Sequence, residues 1–85
     1  MNVMPDHPLN DAFYHGRRSG ELPFVVDDQV RVTHGVYHGQ TGTVAVLDWS
    51  GAELRYLVEF GDGTDELLLG SALELLSPSD GRGAR

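Results

Sequence analysis

The sequence predicts an all-β fold, a single small barrel or sandwich of about five short strands. Apolar and polar residues alternate over residues 30–33, 43–48 and 55–60, as expected for half-buried strands. Turn-forming residues separate these stretches, namely Ser50-Gly51 and Gly61-Asp62-Gly63. Short strands that follow one another at this spacing are typical of small barrels, in which closure also removes exposed sheet edges.

Two further strands complete the predicted domain. Residues 65–69 follow the second turn as a strand, Gly70-Ser71-Ala72 forms a single helical turn, and residues 73–76 close the domain at its carboxyl end. The predicted core consists of the inward positions of these strands: Val30, Val32, Val44, Val46, Tyr56, Val58, Phe60, Leu67, Leu69, Leu73 and Leu76.

Two flanking segments differ in composition from the predicted barrel at residues 24–76. Residues 1–23 are expected to be a partly ordered extension with a short helix over 10–16, capped by Asn10 and ended by Gly16. A helix this short persists only if an apolar residue docks on the domain. Residues 77–85 contain little that could be buried and are expected to be a disordered tail.

The composition limits the kinds of site that this chain of 85 residues can contain. There is no Cys, which excludes disulfides, thiol nucleophiles and zinc sites built on Cys. No apolar run approaches the roughly 18 residues of a spanning helix, and the amino terminus does not resemble a signal peptide. We therefore expect a soluble cytoplasmic protein that does not bind membranes.

Residues 28–44 resemble a KOW motif. A strand with alternating apolar residues precedes Gly35, Tyr37 and Gly39, and Gly42 and Val44 follow. Residues 56–63 are similar to the central hairpin of Tudor-type and other SH3-like barrels, and residues 73–76 resemble the last strand of those barrels. The resemblance covers residues 24–76. It implies a five-stranded SH3-like barrel, in a family whose members often contact RNA or RNA polymerase, and we expect a bacterial protein.

The charge of the predicted barrel argues against nucleic acid as its ligand. Residues 24–76 hold two Arg and nine acidic residues, and the whole chain has a formal charge of −7. Affinity for nucleic acid comes largely from Lys and Arg that neutralise phosphates, so this surface should repel RNA. If the protein did bind nucleic acid, four arginines would make the contacts. If it bound a component of the transcription or translation machinery, the loop 34–40 would contribute as well. The residues concerned are Arg17, Arg18, Arg31 and Arg55, with His34, Tyr37, His38 and Gln40 in the loop.

No motif predicts catalysis, a metal or a cofactor. His34 and His38 could form a metal site with Asp27 or Asp28, but solvated loop histidines are the simpler interpretation. The carboxylate pair Asp65-Glu66 lies in a strand, where adjacent side chains point to opposite faces and share no proton. The sequence therefore predicts a protein that is not an enzyme.

The strongest functional signal is a set of apolar residues predicted to face outward. The alternation places these side chains opposite the core, where they would form a partner-binding patch: Ala45, Leu47, Trp49, Leu57 and Leu68. A protein partner or a second copy of the chain could cover the patch. Alternatively, the amino-terminal segment could cover it with its own apolar residues: Leu9, Phe13, Tyr14, Leu22 and Phe24.

The predicted function is a non-enzymatic protein–protein interaction module, an acidic barrel that recognises a basic or mixed partner surface. The alternative is a KOW-type accessory factor of the transcription or translation machinery that contacts RNA polymerase, the ribosome or RNA. The two differ in an observable, because only the alternative predicts co-purification with those assemblies or with RNA.

Overall fold

A computed structural model describes residues 8–78, and within them confirms an all-β fold of five antiparallel strands. A 3-10 turn over Gly70–Ala72 joins the last two strands, as predicted. The remaining elements are one short helix and the strands: α1 (Asn10–Tyr14), β1 (Gln29–Val32), β2 (Thr41–Asp48), β3 (Arg55–Phe60), β4 (Asp65–Leu69) and β5 (Leu73–Ser77). Ser77, predicted to begin a disordered tail, instead ends β5. The rest of that predicted tail from residue 79 onward lies outside the described residues.

The strands within the described residues form one sheet in the order β4-β3-β2-β1-β5, and each pairs antiparallel with its neighbours. The sheet is open, with β4 and β5 as its two edges. The 3-10 turn that links these two strands has three residues, which span only about 6 Å. The carboxyl end of one edge strand therefore lies close to the amino end of the other.

A β-bulge in β2 reverses the side-chain alternation after Val44. Val44 is opposite Val58 on β3, but the next pair is Val46 with Leu57, so one extra residue lies between. Such a bulge moves every later side chain to the other face of the strand. Val46 is consequently 38% exposed and Leu47 only 2% exposed. The predictions that Val46 belongs to the core and that Leu47 faces outward are both wrong.

The phase of β4 is likewise opposite to the predicted one. Leu68 is opposite the buried Tyr56 and packs against the core, whereas Leu67 is opposite Leu57 and is 40% exposed. Leu69 shares the face of Leu67 and is half-buried. Three consecutive leucines carry no alternation among themselves, so these three residues alone do not indicate which face each of them takes.

A second bulge, between β1 and β5, corrects one more core prediction. Ser77 is opposite Gln29 and Leu75 is opposite Val30, so Leu76 is the extra residue and is 42% exposed. The other predicted core positions are buried, as expected: Val30, Val32, Val44, Tyr56, Val58, Phe60 and Leu73.

The amino-terminal segment contributes to the same core as the sheet. Phe13 and Leu22 are fully buried and belong to one cluster with the strand residues. The ring of Phe24 packs edge-on against Tyr56 at 5.4 Å between centroids, and the ring of Phe13 lies 6.4 Å from that of Tyr56. The core therefore extends across the domain boundary predicted at residue 23.

A glycine ends α1, as predicted. Gly16 has a φ of 74°, and its N–H donates to the carbonyl of Phe13 at 3.3 Å. The N–H of Arg17 donates to the carbonyl of Ala12 at 2.8 Å, which completes a Schellman motif. The predicted cap at the other end is wrong, because Asn10 is the first helical residue.

An ion pair fastens the amino-terminal segment to the residue that precedes β1. Asp28, whose side chain is fully buried, accepts hydrogen bonds from the Arg18 guanidinium at 2.6 and 3.1 Å and from the Val25 N–H at 2.9 Å. Arg18 also donates to the carbonyl of Pro23 at 2.8 Å. The hydrogen bonds that Arg18 donates to Asp28 raise the pKa of Arg18. A bidentate pair of this kind holds both segments in one geometry.

Candidate interaction surface

An apolar row crosses the outer face of β2, β3 and β4. Val46 is opposite Leu57, and Leu57 is in turn opposite Leu67. The flanking pair, Val46 and Leu67, are 38% and 40% exposed, and Leu57 between them is half-buried. Side chains opposite each other on neighbouring strands lie about 5 Å apart, so these three residues form one continuous patch. We call them the outer apolar row.

A polar row lies beside the outer apolar row, at an offset of two residues on β3 and β4 and of three on β2, where the bulge intervenes. From β5 to β4 its members are successive cross-strand partners: Ser77, Gln29, Thr43, Glu59 and Asp65. The Gln29 amide donates to Thr43 Oγ1 at 2.9 Å. At the β4 end, Glu59 and Asp65 place two exposed carboxylates directly opposite each other. We call these two residues the acidic pair.

The turn of the β3–β4 hairpin adds a third carboxylate to the same end of the sheet. Asp62 accepts hydrogen bonds from the N–H and the hydroxyl of Thr64, at 3.0 and 2.6 Å. These bonds lower the pKa of Asp62, which therefore stays ionised at neutral pH. Apart from Arg55 at its start, the hairpin contains neither Lys nor Arg, and the four acidic residues within 56–69 give this part of it a negative potential.

An open cavity of about 330 Å³ lies beside the acidic pair. Glu59, Gln29, Thr43 and Gly42 are among its lining residues. Gly42 is required there, because a Cβ at this position would come within 2.6 Å of the Glu59 carbonyl oxygen. The cavity widens the surface on which a side chain of a partner could reach the carboxylate of Glu59.

The β1–β2 loop contacts the β3–β4 hairpin through Tyr37. Its ring stacks on Phe60 at 5.2 Å, and its hydroxyl donates to Glu66 Oε1 at 3.3 Å. The negative charge of Glu66 is the largest cause of the raised pKa of Tyr37. Val36, the residue before Tyr37, is 91% exposed at the loop tip. The other predicted contact residues of this loop are exposed: His34, His38 and Gln40.

The structure divides the five residues predicted to form the partner-binding patch. Leu57 lies on the outer face, and Ala45 is half-buried at the bulge. Trp49 and Leu68 are partly buried against the core, and Leu47 belongs to the core itself. The exposed patch is thus centred on Leu57 but completed by neighbours other than those predicted.

Residues 8–23, the described part of the amino-terminal segment, do not cover the outer apolar row. Phe13 and Phe24 pack on Tyr56, whose side chain faces the core. Tyr14 is 45% exposed, and Leu9 packs against the core. The apolar residues of the amino-terminal segment therefore cover the inner side of the sheet, and Val46 and Leu67 on the outer side remain exposed.

The predicted nucleic-acid contacts are largely neutralised by ion pairs. Arg17 pairs with Asp11, and this contact is the largest cause of the lowered pKa of Asp11. Arg18 pairs with Asp28, and Arg31 pairs with Glu74 at 3.3 Å. Arg55 lies on β3, opposite both Asp48 and Leu69. Three of these four arginines are therefore already paired with carboxylates.

Residues 8–78 contain neither a metal cluster nor a membrane-spanning helix. No group of three or more His, Asp or Glu side chains is arranged there to hold a metal ion. In the predicted two-His site, His34 Nδ1 lies 2.8 Å from the Thr33 hydroxyl oxygen. No helix in the same range is long and apolar enough to cross a membrane.

Val46 and Leu67 are the surface residues that the sequence pattern missed. Ala45 is an ordinary strand residue, and nothing in the alternation of residues 43–48 indicates a bulge there. For Leu67, the only available signal was Asp65. A charged residue is expected to face solvent, and the residue two positions along a strand lies on the same face.

Comparisons of this chain with protein-family models, with curated proteins and with solved structures find no match.

Proposed function

We propose that this protein is a non-enzymatic, cytoplasmic protein–protein interaction module of the SH3-like barrel type. Its outer apolar row and acidic pair bind a protein partner with a positively charged surface. The observation that carries this proposal is the position of three apolar side chains directly beside two carboxylates that have no ion pair within residues 8–78. Contiguous exposed apolar patches with a polar rim are typical of interaction sites.

The acidic pair supports a partner that is positively charged. Like charges directly opposite each other on neighbouring strands destabilise a sheet. A Lys or Arg of a partner placed between Glu59 and Asp65 would remove this repulsion, so the free energy lost in the free protein is regained in the complex. Charge complementarity of this kind chiefly raises the association rate and the specificity.

The topology supports the barrel as the finer description of the fold. The open edges β4 and β5 are joined by a turn of only three residues. The bulges at Ala45 and Leu76 increase the twist of the strands that contain them. Strong twist and neighbouring edges are the conditions under which a five-stranded sheet coils toward closure.

The alternative function, a KOW-type accessory factor of the transcription or translation machinery, has one supporting observation. The β1–β2 loop presents Val36 at 91% exposure beside the exposed His34 and His38. A protein component of such a machinery could contact this loop tip. Direct contact with RNA is less well supported, because Arg17, Arg18 and Arg31 are already paired with carboxylates.

Affinity capture from the organism that encodes the protein tests the proposal, with nuclease treatment to remove partners bridged by nucleic acid. Val46→Ser combined with Leu67→Ser removes the outer apolar row. Leu75→Ser combined with Leu76→Ser is a matched control, since these residues of β5 are 37% and 42% exposed. Capture is expected to be lost in the first variant and kept in the second.

Two results would overturn the proposal. One is a partner that is retained by the Val46/Leu67 variant and lost by the Leu75/Leu76 variant. The other is co-purification that disappears on nuclease treatment, which would favour the alternative function.

A further inference from the structure

The edge strand β4 has main-chain groups that are available for pairing. Phe60 N–H donates to the carbonyl of Thr64 at 2.8 Å, and this pair continues the register in which Glu59 is opposite Asp65. Hydrogen-bonded and non-hydrogen-bonded pairs alternate along an antiparallel ladder. The peptide groups of Asp65, Leu67 and Leu69 therefore point away from β3, toward the free edge of the sheet.

No other segment of residues 8–78 occupies this edge. The backbone hydrogen bonds outside the helices and strands include none from Asp65, Leu67 or Leu69. The side chains of the same three residues lie on the outer face, where Leu67 ends the outer apolar row and Asp65 belongs to the acidic pair. One strand thus presents main-chain partners, apolar contacts and negative charge together.

We infer that β4 is the docking edge for an extended, positively charged segment of a protein partner, which adds to the sheet as an antiparallel sixth strand. This inference rests on the proposed function and specifies how the partner binds. Main-chain hydrogen bonds supply affinity in such strand addition, and alternate side chains supply specificity.

The chemistry of the added strand follows from the residues opposite it. Its residues opposite Leu69 and Leu67 are apolar and face the same side as the outer apolar row. The residue opposite Asp65 is Lys or Arg, and so is the one opposite Glu66 on the other face. The chain runs antiparallel to β4, so the recognised pattern reads apolar, any residue, apolar, cation, cation.

Charge selects this occupant over a second copy of the chain. Each copy has a formal charge of −7, and residues 56–69 contain no cation to place opposite Asp65 or Glu66. Pairing of two β4 strands would therefore bring two negative hairpins together, which is unfavourable at low ionic strength.

A blocked peptide, GVTVKKG, serves as the probe in a titration of the isotope-labelled full chain, followed by amide shifts and hydrogen exchange. We expect slowed exchange at the amides of Leu67 and Leu69, which are open in the free protein. The amides of Glu66 and Leu68, already paired with β3, are the internal control. A peptide with both lysines replaced by glutamates is expected not to bind.

Backbone methylation of the probe separates strand addition from simple charge attraction. N-methylation of the second valine removes an N–H that faces β4, and is expected to weaken binding about tenfold or more. N-methylation of the threonine alters an N–H that points away, and is expected to leave binding close to that of the parent peptide.

Three results would overturn the strand addition. Equal binding of both methylated peptides would show docking without pairing and would leave the proposed function intact. Absence of binding by the parent peptide would exclude a segment of this chemistry, while the capture experiment would still decide the function independently. Protection of Leu67 and Leu69 in the protein alone, rising with concentration alongside a dimeric mass, would assign the edge to a second copy.

Discussion

Glu59 on β3 and Asp65 on β4 lie directly opposite each other, and both carboxylates are exposed. They form a non-hydrogen-bonded pair, the kind in which the opposed side chains are closest. The neighbouring pair on the same face of the two strands is Leu57 and Leu67. The fold thus places a repulsive charge pair against an apolar row, an arrangement that lowers the stability of the free protein and suits it to bind a cation.

Relief of this repulsion should stabilise the protein. We expect Glu59→Gln to raise the free energy of unfolding by about 0.2–1 kcal/mol, because one of two opposed like charges is removed. The gain should shrink as salt screens the wild-type pair. Urea unfolding at low and high ionic strength measures both effects. Glu53→Gln, in the loop before β3, is the control, and an equal gain in that variant would show a general effect of net charge instead.

Loss of the Phe13 ring should destabilise the whole domain, since this residue of the amino-terminal segment is fully buried in the common core. We expect Phe13→Ala to lower the free energy of unfolding by about 3–5 kcal/mol. Tyr14→Ala, at a neighbouring position that is 45% exposed, should cost much less. Thermal or chemical unfolding compares them, and similar stabilities would mean that the segment is separate from the domain.

The two neighbouring arginines should differ sharply in their effect on stability. Arg18→Met leaves the fully buried Asp28 carboxylate without its cation, and we expect a loss of about 2–4 kcal/mol. Arg17→Met breaks an ion pair whose side chains are 60% and 70% exposed, so the loss should be much smaller than that of Arg18→Met. Equal losses in urea unfolding would contradict the role of the Arg18–Asp28 pair in fastening the segment.

Stability should fall in alkali partly through Tyr37. The negative charge of Glu66 raises the pKa of this phenol above its value of about 10 in the unfolded chain. The un-ionised Tyr37 contributes to the free energy of unfolding at every pH below 10. This contribution is lost as the pH rises through the folded-state pKa, because the phenol ionises first in the unfolded chain. Tyr37→Phe should therefore lose less stability than the wild type between pH 8 and 10.5.

Some alkaline loss should remain in that variant. Burial is the largest cause of the raised pKa of Tyr56, so its ionisation also favours unfolding at high pH. Urea unfolding at the two pH values measures the difference, and absorbance near 295 nm follows the phenols directly. An identical pH dependence in wild type and Tyr37→Phe would refute the coupling between Tyr37 and Glu66.

The strand positions could be predicted because local alternation and turn residues determine them. Val30 and Val32 alternate with polar residues, and Gly63, with a φ of 92°, ends the β3–β4 turn that was expected at residues 61–63. The helical turn before β5 was also predicted, from the short Gly70-Ser71-Ala72 break between two leucine-rich stretches.

The faces of several residues could not be predicted because they depend on pairing between strands. The bulge at Ala45 arises from the register of β2 against β3, and it exchanges the environments of Val46 and Leu47. The burial of Phe13 depends on a tertiary contact with Tyr56, which a short helix pattern does not encode. The surface was therefore expected on the right strands but with the wrong neighbours around Leu57.

Site-specific photo-crosslinking in the native host tests the central claim most directly. A benzophenone amino acid is placed at Leu67 on the outer face of β4, or at Leu75 on β5, which has nearly the same exposure. We expect a discrete, nuclease-resistant crosslink from position 67 to a positively charged protein, and none from position 75. A crosslink from position 75 alone, or crosslinks only to RNA, would contradict the central claim.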